Sequence, residues 1–323
     1  MGLLDVENLK MYYELTRGYV KAVDDVSFTL DKKESIGLAG ESGCGKTSVA
    51  LAIIGLLPSN AKIVEGSITL AGQNIVKMSE KELREKIRWK RVSMIFQGAM
   101  NALHPTYTIG YQIAEAILKH EDVSKDEAME RAKQLLQLVG MESSKVDRYP
   151  HELSGGMKQR AVIAMALACN PDLVIADEPT TALDVIVQAQ VLSVMKELRN
   201  RLDISMMVIS HDLSLIAETC NKVAIMYAGK IVEKGDIVSI YKEPAHPYTE
   251  KLLAAFPSVL GPKTELSSIH GFPPDLLYPP PGCRFHPRCP QAMEICKSTE
   301  PKLLEMGRPG HYVACHLYGG EKK

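Results

Sequence analysis

The octapeptide Gly40-Glu41-Ser42-Gly43-Cys44-Gly45-Lys46-Thr47 constrains this chain more than any other feature in it. It fits G-x-x-x-x-G-K-[ST] at each fixed position. It also stands where that pattern carries meaning, after the apolar strand Ser35-Ile36-Gly37-Leu38-Ala39 and before a helix running from Thr47. The glycines allow a tight backbone path, so that amides from Gly40 to Ser48 point at phosphate oxygens. Lys46 is expected to reach the β- and γ-phosphates of a nucleotide, and the Thr47 hydroxyl to ligate Mg²⁺. The positive end of the following helix adds to the anion site. Cys44 fills a variable position and reads as a backbone donor rather than a reactive thiol.

A loop of this kind belongs to a sheet whose parallel strands alternate with helices, and the rest of the chain agrees. Residues from Leu4 to about Leu38 read as short strands, among them the alternating Val23–Leu30, and Gly66–Leu70 reads as another. From Ser124 to Gly140, Ala128, Ala132, Leu135, Leu136 and Val139 recur at helical spacing, with Gly140 as the stop. Leu173–Ala176, Met206–Ile209 and Val223–Met226 are continuous apolar runs, the pattern of strands covered on both faces. The longest apolar run, Ala161–Cys169, has nine residues, well below the roughly 20 that cross a bilayer. The start, MGLLDVENLK, turns polar within five residues, unlike a secretory leader. Basic and acidic residues number 38 and 39, so no global field recruits nucleic acid or an acidic lipid surface.

A phosphate loop needs an acidic partner for its magnesium at the end of a nearby strand. Leu173-Val174-Ile175-Ala176-Asp177-Glu178 supplies one. Asp177 is expected to hold Mg²⁺ through water, and Glu178 to act as general base toward the attacking water. A strand would send the two carboxylates to opposite sides.

Just upstream stands Leu153-Ser154-Gly155-Gly156-Met157-Lys158-Gln159-Arg160. A helix opened by Ser-Gly-Gly offers a hydroxyl and free amides to a phosphate. This segment resembles the signature motif of ATP-binding cassette proteins, with Met157 where glutamine is commonest. Over nearly its whole length the chain resembles the ATP-binding subunits of dipeptide and oligopeptide importers. The resemblance implies that Ser154, Gly155, Gly156 and Gln159 complete an ATP site on an opposite subunit. It makes Gln97 the glutamine that touches Mg²⁺ and the attacking water and signals to the membrane partners. Ala182-Leu183-Asp184 becomes the loop that crosses the dimer interface, and His211 the histidine on the γ-phosphate. Tyr13 is the expected adenine-stacking aromatic, with Tyr12 and Tyr19 close by.

After about Gly235 the texture changes, with proline dense from Pro244 to Pro290. The segment Glu243-Pro244-Ala245-His246-Pro247-Tyr248-Thr249 resembles the region that follows the nucleotide-binding domain in peptide-importer subunits. Cys283, Cys289, Cys296 and Cys315 then crowd into the last forty-odd residues, spaced C-x5-C-x6-C-x18-C. They resemble the tail that holds a [4Fe-4S] cluster in some relatives. The spacing itself leaves cluster, zinc and disulfide open, and His286, His311 and His316 lie near enough in sequence to replace a ligand. The tail follows the last core strand by many residues, so the expectation is that it acts independently of the phosphate loop.

These readings give an α/β phosphate-loop NTPase with an N-terminal antiparallel β subdomain. Residues 1–235 form the nucleotide-binding domain, with a helical subdomain at about 98–156, and residues 236–323 form the extension. The resemblance implies an ATPase subunit at the cytoplasmic face of the membrane. It would pair with a second, homologous ATPase subunit, drive two transmembrane permeases and depend on an extracytoplasmic solute-binding protein. Di- or oligopeptides are the expected solute, and oligosaccharide or nickel use similar machinery. A soluble cassette ATPase acting on DNA or ribosomes would need a coiled-coil insertion or a second cassette, and neither is in the sequence.

Overall fold

The structure, a computed structural model, describes residues 2–255 and 269–319. Its strands are β1 Leu4–Leu15, β2 Gly18–Leu30, β3 Ser35–Ala39, β4 Ala61–Leu70, β5 Gln73–Asn74 and β6 Val92–Ile95. They continue with β7 Leu173–Asp177, β8 Ser205–Ser210, β9 Lys222–Tyr227, β10 Lys230–Asp236, β11 Leu304–Glu305 and β12 Tyr312–Val313. The helices are α1 Lys46–Ile54, α2 Glu80–Glu82, α3 Ile109–His120, α4 Lys125–Leu138 and α5 Gly155–Ala166. After them come α6 Val185–Leu202, α7 Leu213–Thr219, α8 Ile237–Lys242, α9 Pro247–Ala254 and α10 Glu294–Ser298.

The chain forms two compact units that do not follow its order. Among the described residues, one gathers 2–4, 30–35 and 69–208; the other gathers 5–29, 36–68, 209–255 and 269–319. The chain passes from the first to the second for the last time within β8.

In the first unit β6 and β7 run parallel, Val92 opposite Leu173 and Ile95 opposite Ala176. Every residue of both strands is buried, which explains why their sequences are almost uninterrupted apolar runs. The segment expected to be helical holds α3, α4 and three short 3₁₀ turns before α5 begins. Ser124 caps α4 by accepting from the Glu127 amide, and Gly140 ends it at φ 74. Ala128, Ala132 and Leu136 of α4 and Ile113 and Ile117 of α3 are buried. Each large side chain among them contributes about 1.5–3 kcal/mol of apolar burial.

In the second unit β9 is parallel to β3, Ile36 opposite Lys222, and antiparallel to β10. The carboxy-terminal tail returns to this sheet. β12 pairs with β10, Glu233 opposite Val313, and β11 pairs with β12. Beside this sheet in the same unit lies β1, with β2 and β4 as its neighbours. β4 is far longer than Gly66–Leu70, and β2 extends from Gly18 well before the alternating stretch.

Candidate functional site

The phosphate loop lies between β3 and α1, as its sequence requires. Gly45 caps α1 at φ 109, and a Cβ there would stand 2.0 Å from the Ala22 carbonyl oxygen. A Cβ on Gly40 would stand 2.1 Å from the Met226 carbonyl and 2.9 Å from Cys44 Sγ, at φ +147. Both positions therefore need glycine for space and for backbone angle. Gly43 differs: it needs only its φ of +78, because its Cβ would meet nothing. Cys44 is buried, and burial pushes its thiol pKa up, which fits the inert reading. Lys46 is 6% exposed, its ammonium donating to the carbonyls of Gly40 (2.7 Å) and Glu41 (3.0 Å). Ser42 and Thr47 are exposed at the mouth of the loop.

Tyr13 and Ser48 share a hydrogen bond of 3.0 Å between their hydroxyls, which sets the Tyr13 ring beside the start of α1. Tyr12, on the opposite face of β1, is committed elsewhere: it donates to Asp24 at 2.6 Å, and Arg284 pairs with the same carboxylate. Burial works to raise the Asp24 pKa, but Tyr12 and Arg284 outweigh it and hold the carboxyl below its usual range. Tyr19 is exposed under the Lys62 ammonium, 4.7 Å from its ring centre. His211 is exposed immediately after β8, ahead of Asp212, which caps α7.

The tail is expected to act independently of the loop, yet two of the second unit's later residues touch it. Arg288 forks onto the Glu41 carboxylate at 2.7 and 3.0 Å, and the Glu41 amide donates to Tyr248 Oη at 2.9 Å. Neither residue carries a local sequence signal. Glu41 fills a variable motif position, and Arg288 lies 247 residues away.

The first unit carries the remaining candidates. Asp177 closes β7 and is 1% exposed. Glu178 leaves the strand in the left-handed region at φ 47, so a backbone turn, rather than strand alternation, separates the two carboxylates. Its Oε2 accepts from Gln97 Nε2 at 2.9 Å and from the Thr181 hydroxyl at 3.0 Å. Ala182 repeats the left-handed conformation at φ 67, and Gln188 donates to the carbonyls of Thr180 and Leu183, fixing the loop. A non-glycine residue in that region costs about 1–3 kcal/mol, and such strain concentrates at functional sites. Asp184 caps α6 and Ser154 caps α5, the latter accepting from the Met157 amide at 3.4 Å. Ser154 and Gly155 are exposed at that helix end, while Gln159 is buried.

The four tail cysteines gather in the second unit. Burial, followed by the nearby Cys296, Cys315 and Cys289, pushes the Cys283 thiol up to about 11. Burial likewise raises Cys289 and Cys315, and each of these feels Cys296. The Cys283 amide donates to the Cys296 carbonyl at 2.8 Å. None of the seven cysteines is in a disulfide. The three histidines are engaged elsewhere: His286 with the Cys283 carbonyl, His311 with Glu233 and His316 with the Thr299 carbonyl, each at 2.8 Å. Among the described residues no three His, Cys, Asp or Glu side chains are placed to hold a metal ion. No helix of the described residues is long and apolar enough to cross a membrane.

Comparison with known proteins agrees with this geometry. The ABC transporter family profile matches residues 23–181, and the profile for the C-terminal region of oligopeptide/dipeptide transporters matches 232–296. The oligopeptide transport ATP-binding protein AppD of Bacillus subtilis is 46% identical over 322 residues, covering 99% of this chain and 98% of that one. The dipeptide transport ATP-binding protein DppD of Escherichia coli is 43% identical, covering 98% and 97%. Among solved structures, the dimeric ATP-binding cassette MJ0796, in a post-hydrolysis state bound to ADP and Pi, superposes with a TM-score of 0.64. It is 25% identical and covers 72% of this chain and 98% of its own. With a phosphate loop, a carboxylate pair after β7, a signature helix and relatives matched end to end, the chain belongs to the ATP-binding subunits of the oligopeptide/dipeptide ABC transporter family.

Proposed function

We propose that this chain hydrolyses ATP to power the import of di- or oligopeptides through two membrane-spanning permeases, from the cytoplasmic face of the membrane. Gly40 to Ser48 cradle the phosphates, with Lys46 exchanging its loop carbonyls for phosphate oxygens and Tyr13 stacking on adenine. Thr47, Gln97 and Asp177 are the oxygen donors for Mg²⁺, a set that suits a hard cation; bound there, it neutralises charge on the phosphates. Glu178 takes the proton of the attacking water, and His211 contacts the γ-phosphate. Ser154, Gly155 and Gly156, with Asp184, serve the ATP of a second, homologous ATPase subunit, whereas Gln159, expected in the same set, is 3% exposed and too buried to reach it. In support, Val185 and Ile186 are 79% and 71% exposed beside Asp184, an apolar surface that a partner subunit would cover.

One observation carries the enzymatic reading: the Glu178 carboxylate, on a strained backbone, is aimed by Gln97 and Thr181. Glu178→Gln should therefore retain ATP binding while turnover falls at least ~10²-fold, the usual worth of a positioned base. Turnover near wild type would remove Glu178 from the role. For the solute, cells lacking this chain should lose uptake of a labelled tripeptide; loss of maltotriose or nickel uptake instead would redirect the assignment.

The same reading gives Cys283, Cys289, Cys296 and Cys315 a [4Fe-4S] cluster. Four gathered thiols with no disulfide and no competing histidine suit it.

A further inference from the structure

The second residue of the phosphate loop is held at three points. Glu41 receives Lys46 on its carbonyl (3.0 Å), gives its amide to Tyr248 (2.9 Å) and presents its carboxylate to Arg288 (2.7 and 3.0 Å). Lys46 is the ligand-seeking group of the loop, so on nucleotide binding the holds that persist are Tyr248 and Arg288. Arg288 is itself fixed. Its side chain is 5% exposed, it donates to the carbonyls of His270 (3.0 Å) and Ile269 (3.3 Å), and it lies over the Tyr227 ring at 5.7 Å. Its pKa is driven upward, first by Glu41.

This clamp has an electrostatic purpose as well as a mechanical one. A carboxylate in a loop built for a polyanion repels the ligand unless a cation cancels it, and the Arg fork does so in one geometry that Lys cannot copy. A loop held in its binding path also loses less entropy when the phosphates arrive. The backbone of Arg288 belongs to the tail's cysteine segment. Its 3₁₀ turn His286–Arg288 is anchored by the His286 amide on the Cys283 carbonyl (3.0 Å), and the Cys289 amide closes onto the His286 carbonyl (3.3 Å). Thus the residue that neutralises Glu41 is flanked by two of the four thiols.

We propose that Arg288 is a positioning residue for nucleotide binding, through which the four-cysteine tail controls the phosphate loop. This rests on the reading of Gly40–Thr47 as the ATP site and gives the tail a regulatory role there.

The test is equilibrium titration of the full chain with trinitrophenyl-ATP, with circular dichroism to verify folding. Arg288→Gln should weaken binding about tenfold, a normal size for coupling between sites. Adding Glu41→Gln should restore part of the loss by removing the unneutralised charge, so the double variant binds more tightly than Arg288→Gln alone. A purely structural role would make the double variant weaker still. Should Arg288→Gln not fold, Arg288→Lys carries the test with a smaller loss, again eased by Glu41→Gln. Cys289→Ser should weaken binding in the same direction and add nothing to Arg288→Gln. Wild-type affinity in the Arg288 variants overturns the clamp, and wild-type affinity in Cys289→Ser overturns the link to the tail. Lys46→Ala keeps the two readings apart. If it binds normally, the phosphate-loop assignment fails; if it loses binding while the Arg288 variants keep it, only the clamp fails.

Discussion

Acidification should destabilise this protein through His246, and the structure gives the size of the effect. The imidazole is 1% exposed; its Nδ1 accepts from the Tyr248 amide at 3.0 Å, capping α9, and its ring packs on Phe285 at 5.7 Å between centres. Burial pushes its pKa down to about 3, against about 6.5 when unfolded. The folded state therefore holds it neutral, and only the unfolded state takes a proton as pH falls below about 6.5. The resulting stability is complete above that pH and is lost progressively down to about pH 3, with a total near 5 kcal/mol. Between pH 7.5 and 5.0 the loss is about 1.5 pH units at 1.36 kcal/mol each, or about 2 kcal/mol. Urea unfolding of wild type and His246→Asn at both pH values isolates it. Asn keeps a capping oxygen but does not titrate, and its lost packing costs the same at either pH. Wild type should lose about 2 kcal/mol more than the variant on acidification. Equal losses would refute the burial argument.

Gly40→Ala should abolish ATP binding, because its Cβ would meet a backbone carbonyl at 2.1 Å on a φ of +147; a fluorescent-nucleotide titration showing wild-type affinity would contradict that clash. Protein purified without oxygen should be brown and carry about four irons per chain, and Cys296→Ser should bleach it. Colourless protein with stoichiometric zinc would replace the cluster.

What the sequence disclosed is what local patterns encode. β7, β8 and β9 could be read from their apolar runs because strands covered on both faces admit little else. The cap at Ser124 and the stop at Gly140 framed α4 to within a residue or two. Long-range pairing was hidden. Nothing in Tyr312-Val313 announces that two residues return to pair with β10, or that Glu233 there accepts from Ala245, His246 and His311 at once. Nor did Glu178 advertise its left-handed backbone, since Gln97, which supports its carboxylate, stands 81 residues away. The Arg288–Glu41 pair was invisible for the same reason, its members standing 247 residues apart.

The shared-site reading makes one further prediction that depends on how α5 and α6 meet. A Cβ on Gly156 would approach Val187 Cγ1 to 2.5 Å, and one on Gly155 would touch Leu183 at 3.4 Å. The start of the signature helix thus abuts the loop that carries Asp184 and the exposed Val185 and Ile186. A partner that covers those apolar side chains meets Ser154 in the same encounter. Ser154 in turn lies more than a hundred residues after Lys46. A Lys46→Ala chain and a Ser154→Arg chain then fail at opposite halves of a site, and each alone should be inactive. Where the chain pairs with itself, random mixing makes half of the dimers mixed, each with one intact site of two. Turnover should recover to about a quarter of wild type. Where only the homologous partner is accepted, the same recovery appears when Lys46→Ala here is combined with the matching signature variant there. Full turnover by isolated monomers of wild type would refute the shared site, because one chain would then supply both halves.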